Sequence, residues 1–262
     1  MGLFGTLVGA GGGFILVPVL LLLYPDRDAD TITSMALLVV FFNAASGSIA
    51  YAYLKRTDYF SGIWFAVATL PGAIGGALLV GAIPRRAFDG IFAGAIIGIA
   101  VFIALRSRMN AIQPPPTGRG LVHRELRDRL GHRYIYSYPL WKGVAISTVV
   151  GFVSSLLGIG GGVVHVPVMA TTLHFPVHIA AATSHFVLAF TALEGSIVHF
   201  ADGSLGWDNN LAQAMLLAAG AVPGAQVGAR LAQRLHGAAI IQVLAVALVL
   251  VGVRLAIKAI YE

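Results

Sequence analysis

The stretch GAGGGFILVP at residues 9–18 recurs as GIGGGVVHVP at residues 158–167, and this repeated motif decides the fold. Both copies follow the pattern G-x-G-G-G-x-x-x-x-P and lie inside apolar segments. Glycine clusters at such places interrupt a membrane helix and leave backbone N–H groups free to bind an anion. The duplication therefore predicts a membrane protein built from two repeats around one anion site.

The composition supports a membrane location. Of the 262 residues, 58% are hydrophobic and 11% are charged, and the mean hydropathy is +0.85. Soluble domains carry about 25% charged residues. Because helices satisfy their own backbone groups in lipid, we expect an all-α, polytopic, integral membrane protein. The absence of cysteine excludes a disulfide framework and a thiol metal site, and we expect no metal and no cofactor.

The apolar residues form eight segments of roughly spanning length. Segment 140–173 is too long for one span and contains the second glycine motif near its middle. We therefore expect broken, re-entrant helices at the glycine motifs. The eight segments are 2–24, 31–54, 62–83, 87–105, 140–173, 178–201, 210–230 and 238–260.

A basic linker at 107–139 separates a first transmembrane repeat at 1–106 from a second at 140–262. Between Arg106 and Lys142 there are eight Lys or Arg and two acidic residues, whereas the rest of the chain is neutral. The positive-inside rule predicts that this linker is cytoplasmic. We expect no nucleic-acid partner, because this rule accounts for the basic charge.

The aromatic residues that lead into the next span predict an interfacial cluster: Tyr134, Tyr136, Tyr138 and Trp141.

Further matches between the halves follow the same order, with shifts of 148 to 152 residues. They are Thr33-Ser34 with Thr183-Ser184, Gly47-Ser48-Ile49 with Gly195-Ser196-Ile197, and Pro71-Gly72-Ala73 with Pro223-Gly224-Ala225. The loop after the second span carries Lys55 and Arg56, but its counterpart at 201–209 carries only acidic charges. Opposite charge at equivalent loops predicts inverted repeats.

Glycine motifs and hydroxyl pairs form the predicted anion site. The motif glycines would present N–H groups at the positive ends of the helices that follow, and the hydroxyls could donate to an oxyanion. Close helix packing through small residues, and hydroxyls bonded to helix carbonyls, are the alternative interpretations. The predicted site residues are Gly9, Gly11, Gly12, Gly13, Thr33, Ser34, Gly158, Gly160, Gly161, Gly162, Thr183, Ser184 and His185.

Two polar residues of the second half are candidates for proton coupling. Glu194 lies in an apolar segment, in the region where the first half carries Asn43. A carboxylate at bilayer depth costs about 2.5–3.5 kcal/mol on insertion scales, so it is a functional candidate. His185 follows Ser184 directly and could face the same cavity. A protonated Glu194 bonded to a neighbouring helix is the structural alternative.

These motifs resemble the TauE/SafE sulfite exporter family over nearly the whole chain. The resemblance implies a permease of the bacterial inner membrane that moves sulfur-containing anions such as sulfite or organosulfonates. It carries over to the motif glycines and the two Thr-Ser pairs. Two features depart from the family pattern. Residue 1 aligns with Val150, so either the first repeat is shorter or this sequence starts late within it, and His165 interrupts the apolar run.

We therefore expect a secondary transporter with alternating access, not an enzyme, whose partners are a small anion and the lipid bilayer. The sequence leaves open a homo-oligomer, a passive anion channel and a membrane-embedded enzyme. It contains no H-E-x-x-H motif, no paired carboxylates and no Ser-His-Asp set that would favour the enzyme.

Overall fold

The computed structural model describes residues 1–107, 120–207 and 209–235, with single positions between 239 and 249; of 103–107 only the backbone is described. Most of predicted segment 238–260 therefore lies outside the described residues. The helices are α1 Gly2–Leu7, α2 Gly13–Leu23, α3 Ala29–Tyr53, α4 Tyr59–Val80, α5 Arg85–Ser107, α6 Leu140–Leu157, α7 Gly162–Thr172, α8 Val177–Ala201 and α9 Asn209–Ala232. Within the described part, α3, α4, α6, α8 and α9 are long and apolar enough to span a membrane. The prediction of a polytopic membrane protein is confirmed.

Both glycine motifs interrupt a helix, as the sequence predicts. Helix α1 ends at Leu7 and α2 begins at Gly13, and the second motif separates α6 from α7 in the same way. Six motif glycines have φ between 57° and 81°, which a side chain with a Cβ adopts only at a cost. They are Gly9, Gly11, Gly12, Gly158, Gly160 and Gly161.

Helices α3 and α8 form the antiparallel centre of the protein. A Cβ added at Gly47 of α3 would meet His185 of α8, and one added at Gly195 of α8 would lie 2.8 Å from Leu37 of α3. The contact therefore moves toward the start of α8 as it moves toward the end of α3. Small residues at both crossings let the two backbones approach closely.

The Pro-Gly-Ala motifs pack the two halves of the chain into each other. A Cβ at Gly72 in α4 would lie 2.7 Å from the Phe152 nitrogen in α6, and one at Gly224 in α9 would lie 3.0 Å from the Leu3 nitrogen in α1. Helix α4 of the first half thus packs on α6 of the second, and α9 of the second packs on α1 of the first. The motif thus has the same role in both halves, because each copy packs its helix against a helix of the other half.

The basic linker contains a β-hairpin, which corrects the expectation of an all-α chain. Strand β1 (Leu121–Arg127) pairs antiparallel with β2 (Arg133–Pro139). Tyr136 and Tyr138 are buried against Phe65 and Phe175 instead of forming an interfacial belt. Alternating aromatic side chains on β2 pack on the helices, so the hairpin is docked on the helical part.

Two ion pairs attach the hairpin to the loop between α3 and α4. Asp58, the N-cap of α4, accepts hydrogen bonds from Arg124 at 2.8 Å and from the Tyr136 hydroxyl at 2.6 Å. Arg56 donates to Asp128 at 2.9 Å, and both side chains are buried. The Lys55-Arg56 loop therefore lies on the same side as the basic linker, in agreement with its charge.

The hairpin ion pairs are acid-sensitive. Burial alone would raise the pKa of Asp58, but the hydrogen bonds from Arg124, Ser61 and Tyr136 outweigh it and hold that pKa below its ordinary value. Burial likewise opposes ionisation of Asp128, yet Arg56 and His132 lower its pKa to about 2. Because both carboxyl pKa values are depressed, their stabilisation is present above the ordinary value of 3.8 and is lost as pH falls toward 2.

Asp58→Asn is expected to destabilise the folded protein by about 1–3 kcal/mol, because it leaves Arg124 without its partner. This is less than for a fully buried pair, since the Arg124 side chain is 29% exposed. Thermal unfolding in detergent measures the change, and limited proteolysis at Arg127 and Arg129 reports hairpin release. Glu125→Gln, which removes an exposed carboxylate from the same hairpin, is the control. Equal stability of Asp58→Asn and the control would contradict this docking scheme.

Candidate functional site

The two glycine loops, residues 9–13 and 158–162, contact each other at the centre of the protein. A Cβ at Gly13 would lie 2.6 Å from the Ile159 carbonyl oxygen, and one at Gly162 would lie 2.8 Å from the Ala10 Cα. Every residue of both loops is buried. At Gly13 and Gly162 the glycines therefore allow close packing of the two loops, which agrees with the packing interpretation.

The same loops supply unbonded N–H groups. Helices α2 and α7 begin at Gly13 and Gly162, so the positive ends of both helices lie at the loop contact. Within the described residues, no backbone carbonyl accepts from the N–H groups of Gly12, Gly13 or Phe14. The same holds for Gly160, Gly161 and Val163 in the described second loop. The predicted helix starts are confirmed, and their contact with an anion stays a prediction.

A buried polar cluster, the first cluster, adjoins the first loop and consists of Thr6, Asn43, Tyr51, Ser184 and His185. The Asn43 amide donates to the Gly11 carbonyl at 3.0 Å and to the Thr6 hydroxyl at 3.2 Å. His185 Nε2 lies 3.1 Å from the same hydroxyl, and Tyr51 donates to the Thr6 carbonyl at 2.7 Å. Among the described residues, His185 Nδ1 has no partner although the side chain is fully buried.

The second loop has a comparable group, the second cluster, formed by Ser147, Ser154, Ser155 and His165. His165 Nε2 lies 3.1 Å from the Ser147 hydroxyl. Ser154 and Ser155 lie in the last turn of α6 before the loop, and their buried hydroxyls have no partner among the described residues. Unpaired buried polar atoms are rare in folded proteins and require an explanation. The Ser154 hydroxyl lies beside the start of α7, because a Cβ added at Gly161 would be 3.2 Å from it, so one ligand could satisfy this hydroxyl and the free N–H groups.

The two Thr-Ser pairs have different environments. Thr33 and Ser34 bond to helix carbonyls of α3, at 3.0 Å and 2.9 Å, which is the structural alternative. Thr183 accepts from the Asp58 N–H at 3.0 Å, and Ser184 donates to the Gly9 carbonyl at 3.3 Å. Only the second pair therefore touches a glycine loop through a hydroxyl group.

The pairs are also not at equivalent positions. A Cβ at Gly158 would lie 2.9 Å from Thr33, whereas one at Gly9 would lie 2.7 Å from Ala181. Since Gly9 and Gly158 are motif equivalents, Thr33 corresponds to Ala181 and not to Thr183. The central helices therefore align with a shift of 148 residues, as Ala29 and Val177 do at their starts. The sequence pairing of the two Thr-Ser motifs is wrong by two residues.

Glu194 lies away from the glycine loops, between α8 and α4. The Thr69 hydroxyl is 3.5 Å from its Oε2 and accepts from the Thr191 hydroxyl at 3.0 Å. With the shift of 148 residues, Asn43 corresponds to Thr191 and Glu194 corresponds to Ser46. The structure thus shows a chain of hydroxyl groups at the carboxylate, but it does not bring Glu194 to His185.

A further group lies at the start of α3 and the end of α8. Ligand atoms of Asp30, His199 and Asp202 lie within 4.8 Å of one another, and His199 Nδ1 is 3.2 Å from Asp30. His199 is buried, but its Nδ1 also bonds to Ser204 at 2.9 Å and the two carboxylates are partly exposed. Ser204 therefore already occupies the ring nitrogen that faces this group.

Comparison with known proteins identifies one family and several membrane transporters as similar to this chain. Residues 1–255 match the family model described as Sulfite exporter TauE/SafE. The chain is 32% identical over 267 residues to the probable membrane transporter protein YunE of Bacillus subtilis, covering 100% of this chain and 95% of that protein. It is 24% identical to the probable membrane transporter protein MJ0441 of Methanocaldococcus jannaschii, covering 90% and 84% of the two chains. No solved structure matches significantly.

Proposed function

Because the chain belongs to the TauE/SafE sulfite exporter family, we propose that this multi-pass membrane transporter moves a small sulfur-containing oxyanion, such as sulfite or an organosulfonate. In this proposal it acts as a secondary permease of a bacterial plasma membrane. The names of the two relatives give the transporter class but no substrate. The substrate proposal rests on the family description and on the chemistry of the glycine loops.

One observation carries the proposal: two helix N-termini with free N–H groups meet at a buried contact lined by unpaired polar atoms. Helices α2 and α7 both direct their positive ends to this contact. His185 Nδ1 and the hydroxyls of Ser154 and Ser155 have no partner within the described residues. N–H and O–H donors without carboxylates favour an oxyanion over a cation.

The reciprocal packing supports alternating access between inverted repeats. Equivalent helices α3 and α8 run antiparallel, and each glycine loop contacts the other through equivalent residues, Gly13 with Ile159 and Gly162 with Ala10. Two such halves can exchange roles by rocking around their shared centre. Because the loops are now in direct contact, the anion would bind when the halves separate at this point.

Proteoliposome flux tests the proposed function. Protein reconstituted into vesicles is given radiolabelled sulfite, sulfate, thiosulfate or taurine, and uptake is compared with that of empty vesicles. We expect saturable flux of at least one sulfur oxyanion and an increase in its rate when a pH gradient is imposed. Flux that neither saturates nor responds to a gradient would identify a passive channel. Absence of flux for all four compounds would contradict the proposed substrate class.

Glu194 is proposed to couple the anion to a proton. Glu194→Gln is expected to lower gradient-driven uptake about tenfold, in the range of ordinary coupling energies, while anion exchange at equal pH stays intact. The physical reason is that the amide keeps the shape and the Thr69 contact but cannot exchange a proton. Uptake at several imposed pH gradients gives the coupling, and Glu125→Gln on the hairpin is the matched control. A variant with full gradient stimulation would exclude Glu194 from coupling.

A further inference from the structure

A basic pocket lies where the hairpin meets the ends of the helices, and its described lining contains no residue of the glycine loops. Its volume is about 480 Å³, and Arg56, His132, Arg133 and Arg234 are among its lining residues. No carboxylate belongs to the described lining of this pocket. The charged side chains of the described lining are therefore arginines, of which Arg56 and Arg133 are each paired with a carboxylate outside the lining. The pocket faces the side of the protein that carries the basic linker.

Arg56 is the central cation of this pocket. The residue is only 3% exposed, and its Nε and Nη2 atoms donate to Asp128 at 3.2 Å and 2.9 Å. Its Nη1 atom is buried and has no partner in the described part of the chain. Leaving a charged donor unpaired costs free energy unless a ligand satisfies it. Asp128 holds the guanidinium in place, so a ligand would meet a preorganised donor.

Two further guanidinium groups, of Arg133 and Arg234, line the pocket beside Arg56. Arg234 is exposed, whereas Arg133 is held by the exposed Glu125 at 2.6 Å. Planar guanidinium groups match the geometry of phosphate oxygens and can donate two hydrogen bonds to one group. Arg133 and Arg234 are exposed to solvent, whereas Arg56 is buried and held by Asp128.

The equivalent pocket at the opposite end of the helices shows that the fold does not require this charge. That pocket has a volume of about 380 Å³ and is lined by Asp28, Asp30 and Ile83, among others. Asp30 corresponds to His178 of the basic pocket with the shift of 148 residues, and Ile83 corresponds to Leu235 with the shift of 152 residues. The first pair thus has an aspartate at one end and a histidine at the other, the second pair is apolar at both ends, and Arg85 also lines the second pocket.

We propose that the basic pocket binds a phosphate-type oxyanion, either free or as the headgroup of an anionic lipid, through Arg56, Arg133 and Arg234. The position favours both sources, since the pocket lies at the ends of spanning helices beside a hairpin outside them. Anionic headgroups attract basic residues at this level of a membrane. This site does not depend on the transport function, because none of its residues touches the glycine loops.

Binding to purified full-length protein tests the proposal at constant ionic strength. Inorganic phosphate and pyrophosphate are titrated while the unfolding temperature is recorded, and retention of phosphatidylglycerol is compared with that of phosphatidylcholine by native mass spectrometry. Arg234→Gln is expected to weaken binding about tenfold, as for the loss of one charge-assisted hydrogen bond. Arg56→Lys keeps the charge beside Asp128 but removes Nη1, so we expect a similar loss. Arg127→Gln removes an exposed hairpin arginine outside the pocket and is the matched control.

The separate arms identify the source of the oxyanion. Selective binding of the free anions, of phosphatidylglycerol or of both supports the site, provided that Arg234→Gln weakens it and Arg127→Gln does not. Because Arg234 is exposed, its variant should fold normally, and its unfolding temperature without ligand verifies this. Equal losses in Arg234→Gln and Arg127→Gln would show that only net charge matters and would overturn the proposal. Absence of binding in every arm would overturn it as well.

Discussion

Gly162→Ala is expected to destabilise the protein by about 2–3 kcal/mol, the cost of overpacking a site where only backbone could give way. The added methyl group would meet the Gly9 carbonyl oxygen and would lie 2.8 Å from the Ala10 Cα. Neither atom belongs to a flexible side chain, so relief requires the two glycine loops to move apart. The unfolding temperature in detergent and the yield of monodisperse protein measure the effect.

Gly13→Ala should have a similar effect, because its Cβ would lie 2.6 Å from the Ile159 carbonyl oxygen at the equivalent contact. Gly94→Ala in α5 is the control, since a Cβ there meets nothing within 4 Å. This control should be neutral or stabilising by roughly 0.5–1 kcal/mol, because alanine favours a helix. If Gly13→Ala and Gly162→Ala were as stable as Gly94→Ala, the loop contact in this structure would be wrong.

The glycine motifs were the most informative part of the sequence, because a backbone requirement leaves a direct trace in residue type. Positive φ at Gly12 and Gly161 requires glycine, and so does the close approach at Gly13 and Gly162. The helix breaks and the two related halves could therefore be predicted. The partners of each loop could not be predicted. Gly13 contacts a backbone carbonyl group, which every residue has, so the contact leaves no trace in the sequence.

The hairpin was missed although the sequence contained its signal. Tyr134, Tyr136 and Tyr138 alternate along the chain, which is the period of a strand. The same tyrosines also fit an aromatic belt beside a membrane span, and composition alone did not separate the two interpretations. Asp58 decides between them, because its ion pair with Arg124 draws the strands onto the helices. That contact joins residues 66 positions apart and leaves no local pattern.

The candidate site was only partly predictable for a related reason. Ser184 reaches Gly9 of the first loop through its hydroxyl, but Thr33 and Ser34 bond within their own helix. A shift of two residues in the repeat alignment rotates a helical position by more than half a turn. The two Thr-Ser pairs therefore have different environments although their sequences are identical. Thr6 and Asn43 of the first cluster lacked a recognisable motif, and only the fold shows that they meet at Gly11.

His185→Leu is expected to lower anion flux by about 100-fold or more, which corresponds to at least about 2.7 kcal/mol of lost stabilisation. His185 contacts the Thr6 hydroxyl at 3.1 Å, its Nδ1 has no partner among the described residues, and its ring packs edge-on against Tyr51. Leucine is the residue at the equivalent position of the first half, Leu37, so the replacement is compatible with this packing. Uptake of labelled sulfite into proteoliposomes measures the loss.

His165→Leu is the matched control, because His165 is also buried and its motif equivalent in the first half is Leu16. We expect flux within a few-fold of the native protein and a similar unfolding temperature in both variants. The difference would show that a buried imidazole matters only where it adjoins the first glycine loop with a free ring nitrogen. Equal losses in the two variants would instead indicate a general effect of buried histidines on packing. Normal flux in His185→Leu would remove this residue from the anion site and leave the backbone N–H groups and the serine hydroxyls as its donors.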